Sequence, residues 1–328
     1  MSVRLLLHRL SLADAEAEVV PASAADLRCA SFIDGRSDFS CGPLRQLALQ
    51  TLLESESGPA PPIRFLFHMG FCGSTLLARL LDHPGSSLVL REPNCLADLA
   101  NQRAAADRNG EALVAFDKVL AAVARHLARP WNDGETVIVK PSNWMNNLLP
   151  SLIAAAPLHP LFLTTSRANY LAAVFRGGPQ RVAFTARAAA HLSSGGGDAA
   201  ELLAAALRAN QDQTDTLARI AVTTHEIQRR QFARAIEQGG WGERHLLDQA
   251  ELAADPAAAS LKAATALDLD LPPQAIQTNV AAWAGRHAKA PGNAYSRTRE
   301  VEIGSAIEAE HGPAIEHALD WADRTFDA

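Results

Sequence analysis

A turn suited to holding an anion lies in His68-Met69-Gly70-Phe71-Cys72-Gly73-Ser74-Thr75-Leu76-Leu77-Ala78-Arg79-Leu80-Leu81-Asp82. An apolar run of strand length, Ile63 to Met69, leads into two glycines. Two hydroxyl residues then open a stretch whose apolar positions 76, 77, 80 and 81 share one helical stripe. Free backbone N–H groups at such a helix start, the positive end of its dipole and the Ser74 and Thr75 hydroxyls would all point at one anion. Gly70 and Gly73 would let the backbone turn and approach it closely. A plain strand-to-helix turn needs the same residues for geometry alone. No lysine precedes the hydroxyls, so the nucleotide-binding pattern G-x-x-x-x-G-K-[ST] is not met and an ATPase or GTPase is disfavoured.

Three further polar residues directly follow apolar runs: Glu92 after Leu88 to Leu90, Lys140 after Val137 to Val139, and Arg167 after the run that starts at Leu161. Open α/β sheets bind ligands outside the carboxyl ends of their strands, so Ser74, Glu92, Lys140 and Arg167 are expected to converge. Arg79 follows Thr75 by four residues and is expected on the exposed face of the helix, opposite the buried stripe. Its guanidinium would lean back toward the bound anion, or else be a solvated surface charge. Cys72 sits near the helix start, where a thiol pKa can be lowered, although a small packing role fits it as well. The four cysteines show no C-x-x-C pair and read as reduced thiols, and the histidines show no H-x-x-x-H spacing.

Short apolar runs at residues 63–69, 87–90, 136–139, 160–165 and 245–247 alternate with longer alanine-rich segments of helical look, the signature of an α/β sheet. With 328 residues, the chain has length for one large domain or two smaller ones. Ser57-Gly58-Pro59-Ala60-Pro61-Pro62 marks a boundary, leaving residues 1–60 as an accessory segment and 61–328 as the α/β domain. The accessory segment is expected to hold a strand at Val3 to Leu10 and a helix at Leu44 to Leu53. A helical insert at about 180–240 is interrupted by Ser193-Ser194-Gly195-Gly196-Gly197, read as a flexible turn or lid hinge, and Gly312-Pro313 is expected to break the last helix. Lys plus Arg number 30 against 36 Asp plus Glu, so the formal charge is −6. That balance argues against nucleic acid or a membrane surface as partner. No signal-type segment opens the chain and no long apolar stretch spans a bilayer, which places it in the cytoplasm.

The motifs, in their order, resemble the P-loop-like sulfotransferase superfamily. Its donor loop reads approximately [KR]-S-G-[ST]-T-[LW]-L, followed by L-x-x-H-P; here Phe71-Cys72-Gly73-Ser74-Thr75-Leu76-Leu77 precedes Leu80-Leu81-Asp82-His83-Pro84, with Phe71 in place of the basic residue. Leu88 to Pro93 looks like the family strand ending in Glu-Pro, Val137 to Ser142 like the strand ending in a lysine, and Leu161 to Arg167 like the strand ending in an arginine. His245 to Pro256 resembles a late strand and helix, and Trp283 to Arg299 a basic loop. The likeness covers about residues 60–300.

The resemblance implies an α/β, P-loop-like three-layer fold with a parallel central sheet and a helical lid. It implies a transferase that moves a sulfuryl group from phosphoadenosine phosphosulfate (PAPS) to a hydroxyl or amine of a small-molecule or peptidic acceptor, with phosphoadenosine phosphate as product and no metal required. Gly70, Cys72, Gly73, Ser74 and Thr75 would cradle the donor, while Arg167 with Ser166 would clamp its 3′-phosphate, unless Arg167 is held in a salt bridge. Lys289 would close over the nucleotide, or else be one charge of a solvated loop. Glu92 would act as general base, or pair with Arg91 or Arg79 for structure. Lys140 would stabilise the transferring group with help from Ser142 and Asn143, or mark where the strand meets water. A phosphotransferase of the wider P-loop class and a non-catalytic sulfotransferase-like binding protein are the alternatives.

Overall fold

The structure, a computed structural model, describes residues 3–56, 61–208, 212–283, 286–294 and 297–327. The chain opens with β1 (Val3–Ser11), β2 (Glu16–Ser23), α1 (Ala24–Cys29), β3 (Arg45–Ala48) and α2 (Leu49–Ser55). The three strands form an antiparallel sheet with β2 in the middle, Ala17 and Val19 buried on one of its faces and Val20 and Ala22 on the other. Ser23 starts α1 through a reciprocal capping box with Asp26, which satisfies two otherwise unpaired N–H groups. The stretch expected as one helix at Leu44 to Leu53 is half strand: its first residues pair with β2, and the helix begins only at Leu49. The boundary at Ser57 to Ala60 lies outside the described residues.

The middle of the chain runs β4 (Ile63–His68), α3 (Ser74–Leu80), β5 (Ser87–Arg91), α4 (Asn94–Asn109), α5 (Phe116–Ala128) and β6 (Thr136–Lys140). A 3₁₀ segment (Asn143–Leu148), α6 (Leu149–Ala155), β7 (Leu158–Thr164), α7 (Arg167–Arg176), α8 (Gly178–Leu192), α9 (Gly197–Leu207), α10 (Gln213–Gly239) and β8 (Leu246–Asp248) follow. Five strands form one parallel sheet in the order β5-β6-β4-β7-β8. The apolar runs are continuous because both faces are covered, and the two-residue period divides them between two cores. Phe65, Phe67, Val137, Val139 and Phe162 face α4, α5, α6 and Phe232 of α10. Leu66, Val89, Ile138, Leu161 and Leu163 face α3 and the helices that follow β8. The connection from β4 leads toward the β5 edge and that from β7 toward β8, the reversal of strand order at which open α/β sheets bind ligands.

The chain ends with α11 (Gln249–Ala254), α12 (Pro256–Ala266), α13 (Pro273–Trp283), a short hairpin of β9 (Arg286–His287) and β10 (Ala290–Ala294), and α14 (Arg297–Phe326). The break expected at Gly312-Pro313 is absent, and α14 carries Pro313 inside it. Ala314, Ala318 and Ala322 form a buried stripe along that helix against Tyr170, Val174, Ala218 and Val222. Close packing of small residues there overrides the donor that proline lacks. Among the described residues, no helix is long and apolar enough to cross a membrane.

Candidate functional site

Two residues in the turn between β4 and α3 are glycines with positive φ, Gly70 at 86° and Gly73 at 81°, but Phe71 adopts 57° without being one. Such a conformation costs about 1–3 kcal/mol and persists only where its surroundings enforce it. The Phe71 ring packs on Tyr170 at 5.7 Å and Phe184 at 6.2 Å, with the Arg181 guanidinium 4.8 Å from its centroid. Buried amides hold the backbone on the other side. Asn143 donates to the Met69 carbonyl at 3.3 Å and Asn146 to the His68 carbonyl at 3.2 Å, and both also donate to Gln228 Oε1. A Cβ on Gly70 would sit 3.0 Å from the Asn143 amide, tighter than ordinary contact, and the positive φ favours glycine there by angle.

His68 ties the turn to β6. The Gly70 N–H donates to its Nδ1 at 3.0 Å, so Nε2 carries the proton and donates to the Pro141 carbonyl, also at 3.0 Å. Burial, and then the nearby Lys140 charge, hold the His68 pKa well below its ordinary value, which keeps the ring neutral. Ser74 and Thr75 open α3 as expected and are nearly buried. Cys72 points away into the core toward the Leu163 carbonyl, and burial raises its thiol pKa, so the packing role fits and an activated thiolate does not.

Glu92 and Lys140 meet at the ends of adjacent strands. Lys140 Nζ lies 2.9 Å from Glu92 Oε1, and the Glu92 N–H donates to the Lys140 carbonyl at 2.7 Å. Glu92 has a φ of 58°, the second non-glycine of the site in the left-handed region. Its other carboxylate oxygen accepts from Arg36 at 2.8 Å, so the pairing expected with Arg91 or Arg79 is replaced by Lys140 and Arg36. The Lys140 side chain is 1% exposed, far from a charge placed at a strand end merely to meet water. Burial pushes the Glu92 carboxyl up, but Lys140, Arg36 and Lys289 outweigh it and hold the group below its usual range. Lys289, on the turn between β9 and β10, keeps contact with solvent while standing close to this pair. Desolvation by the surrounding protein and then the Lys140 charge lower its pKa, Glu92 acts in the opposite sense, and Arg181 and Arg36 add to the lowering. Lys140, Arg36 and Lys289, from separate parts of the chain, thus act on Glu92, while Arg36 is shared with Asp34 at 2.5 Å.

Other expected residues go elsewhere. Arg79 is 5% exposed, on a helix with no solvated face, and donates to the Arg28 and Ala30 carbonyls at the end of α1 while lying over Trp283. Arg91 donates to the Leu27, Arg28 and Ala30 carbonyls and pairs with Asp82 at 2.8 Å. Both arginines therefore serve the carboxyl end of a helix, whose partial negative charge attracts cations. Burial and the Arg91 charge lower the Arg79 pKa to about 10. The expectation that Arg79 reaches the turn is corrected: its guanidinium is committed to α1.

Arg167 departs too. It pairs with Glu226 on α10 and, on α14 and beyond, with Asp323 at 3.0 Å and Asp327 at 2.6 Å, with its guanidinium 5.6 Å from the Phe326 centroid. Its salt-bridge alternative is the one observed, and the four-residue convergence reduces to the turn with Glu92 and Lys140. Ser166 is the N-cap of α7, accepting from the Asn169 N–H at 3.2 Å. Ser142 is buried at the start of the 3₁₀ segment.

Sequence reasoning missed Arg36, Arg181, His68 and the Asn146 and Gln228 amides; Asn143, expected beside Lys140, instead holds the turn through the Met69 carbonyl. Only His68, at the end of an apolar run, carried a signal of position; Arg36 and Arg181 reach the site through tertiary packing. No protein-family model matches the chain, and no curated protein matches it either.

Proposed function

We propose that the chain transfers a sulfuryl group from PAPS to a hydroxyl or amine acceptor, its α/β sheet being the middle layer of a P-loop-like three-layer fold and α8 to α10 a helical lid. The observation that carries this reading is the Lys140–Glu92 pair beside the strained turn, with Arg36 and Lys289 close to it. Arg36 being shared with Asp34, the positive charge that Lys140 and Lys289 bring to Glu92 fits a polyanionic donor, because sulfuryl transfer spreads negative charge over the outer oxygens and the leaving group. Arg181, stacked on Phe71, offers in space the cation that the turn lacks in sequence. The bound donor supplies an activated sulfuryl group. Glu92 takes the acceptor proton as the new sulfur–oxygen bond forms, and Lys140 neutralises the oxygen from which sulfur departs. The acceptor must draw Lys140 partly from Glu92, since a paired carboxylate is a weaker base.

The test is thermal unfolding with phosphoadenosine phosphate, with Mg-ADP and with neither. A ligand at a hundred times its Kd adds roughly 2.7 kcal/mol to the folded state. Stabilisation by phosphoadenosine phosphate alone is expected; a response to Mg-ADP alone indicates phosphoryl transfer, and silence to both removes the reading. The close pairing of Glu92 favours a second reading, a binding protein that holds the nucleotide without turnover. Stabilisation without any sulfated product would mark it.

A further inference from the structure

The N-terminal part of the chain reaches Glu92 from the solvent side. The segment that joins α1 to β3 passes the carboxyl end of β5, where the Ile33 N–H donates to the Arg91 carbonyl at 2.8 Å. Further along, the Cys41 N–H donates to the Pro21 carbonyl at 2.9 Å, so the segment is a strap tied at two places. Between those ties stands Arg36, with a side chain that is 58% exposed.

Arg36 touches three groups at once. Its Nη2 donates to Glu92 Oε2 at 2.8 Å and its Nε to Asp34 Oδ2 at 2.5 Å, while the guanidinium lies 4.0 Å from the centroid of the Phe32 ring. The Arg36 main-chain N–H also donates to Asp34 Oδ1, at 3.0 Å. Asp34 and Phe32 belong to the strap itself. Leaving Glu92 would therefore cost the guanidinium one hydrogen bond and keep its charge paired.

The two carboxylate oxygens of Glu92 are thus held unequally. Lys140, on Oε1, is buried, whereas Arg36, on Oε2, is the hydrogen-bonded partner that solvent reaches. Ion pairs open to solvent are weak, and Lys140 and Lys289 divide the attraction of the same carboxylate. A molecule arriving from solvent meets Glu92 on the Arg36 side.

We infer that Arg36 is a latch on Glu92: it covers Oε2 until an acceptor enters, then falls back on Asp34 and Phe32 and leaves that oxygen to take the proton. Arg36 is a positioning residue that acts through Glu92, and Asp34 sets how readily it lets go. The acceptor's part rests on the sulfuryl-transfer reading, and the exchange of Arg36 between two carboxylates does not.

Reaction of the full chain with a water-soluble carbodiimide and glycinamide tests the latch without turnover, because an uncovered carboxyl is activated faster than a covered one. Peptide mass spectrometry follows the loss of unmodified Glu92, whether to glycinamide or to the neighbouring Lys140 amine. Arg36→Gln is expected to speed that loss several-fold. Asp34→Asn is expected to slow it several-fold, since asparagine keeps an oxygen for the Arg36 main-chain N–H but lacks the charge that competes with Glu92. A strap that merely supports the fold would loosen in both variants and react faster in both. That result, or an unchanged rate in either variant, overturns the inference. If sulfuryl transfer is the reaction, Asp34→Asn also lowers kcat several-fold while the affinity for phosphoadenosine phosphate stays the same. Opposite labelling shifts without any sulfated product would end the sulfuryl reading and leave the latch standing. Sulfated product with labelling that ignores Arg36 would do the reverse.

Discussion

At the scale of single residues, Glu92 and Arg79 separate chemistry from architecture. Glu92→Gln keeps the main-chain bond to Lys140 but removes the proton acceptor. It is expected to lower sulfuryl transfer by about 10²–10⁴-fold, the usual worth of a positioned base, while stabilisation by phosphoadenosine phosphate persists. Full turnover in that variant would remove Glu92 from the mechanism. Arg79→Ala has the opposite signature. It strands carbonyls at the end of α1, so urea unfolding should show a loss of about 1–3 kcal/mol, with no change in nucleotide affinity. A weakened affinity with intact stability would return Arg79 to the site. The type of each residue was legible in the sequence, but its direction was not. The apolar stripe at positions 76, 77, 80 and 81 implied an opposite, solvated face, whereas α13 covers that face and Trp283 receives the guanidinium.

At the scale of elements, the parallel strands were legible because burial on both faces leaves an uninterrupted apolar run, as in Phe65 to Phe67 and Leu161 to Leu163. The N-terminal sheet was partly hidden. Glu16 to Ser23 combines alanine, glutamate and proline, poor strand formers, and is held as a strand by pairing on both sides. The end of α14 was hidden for a related reason: Gly312-Pro313 is a local stop signal, and the alanine stripe that defeats it becomes visible only once α7 and α10 are in place. This helix also decides what Arg167 can do. Replacing both Asp323 and Asp327 by asparagine removes two of the acids that hold the guanidinium. If Arg167 clamps a 3′-phosphate, the affinity for phosphoadenosine phosphate should rise several-fold in that variant by calorimetry. An unchanged or lower affinity assigns Arg167 to architecture alone.

At the scale of the whole molecule, several histidines are held neutral by the fold. Burial lowers the pKa of His68, His191 and His225, in the case of His191 from 6.5 to about 4. The unfolded chain takes up protons on these rings near pH 6.5 that the folded chain refuses. Stability from this source is therefore complete above pH 6.5 and declines as the pH falls toward 4. Glu92 and Glu226, both lowered carboxyls, add a further loss as the pH drops below their ordinary value of 4.5. Urea midpoints should decrease steadily from pH 7 to pH 4.5, and a flat profile between pH 7 and pH 5 would contradict the buried, neutral histidines. The charge map of the site likewise belongs to this scale. Arg36 precedes β4 and Arg181 lies far beyond it in the chain, and only the closed fold brings the one to Glu92 and the other to Phe71.

Pro313 gives the last helix an uneven grip along its length. A proline in that position offers no N–H to the carbonyl four residues earlier, so one rung of the ladder is missing midway between Arg297 and Phe326. Amide exchange with deuterium should thus divide α14 into two blocks, the turns after Pro313 being guarded by the alanine contacts and those before it trading their protons sooner.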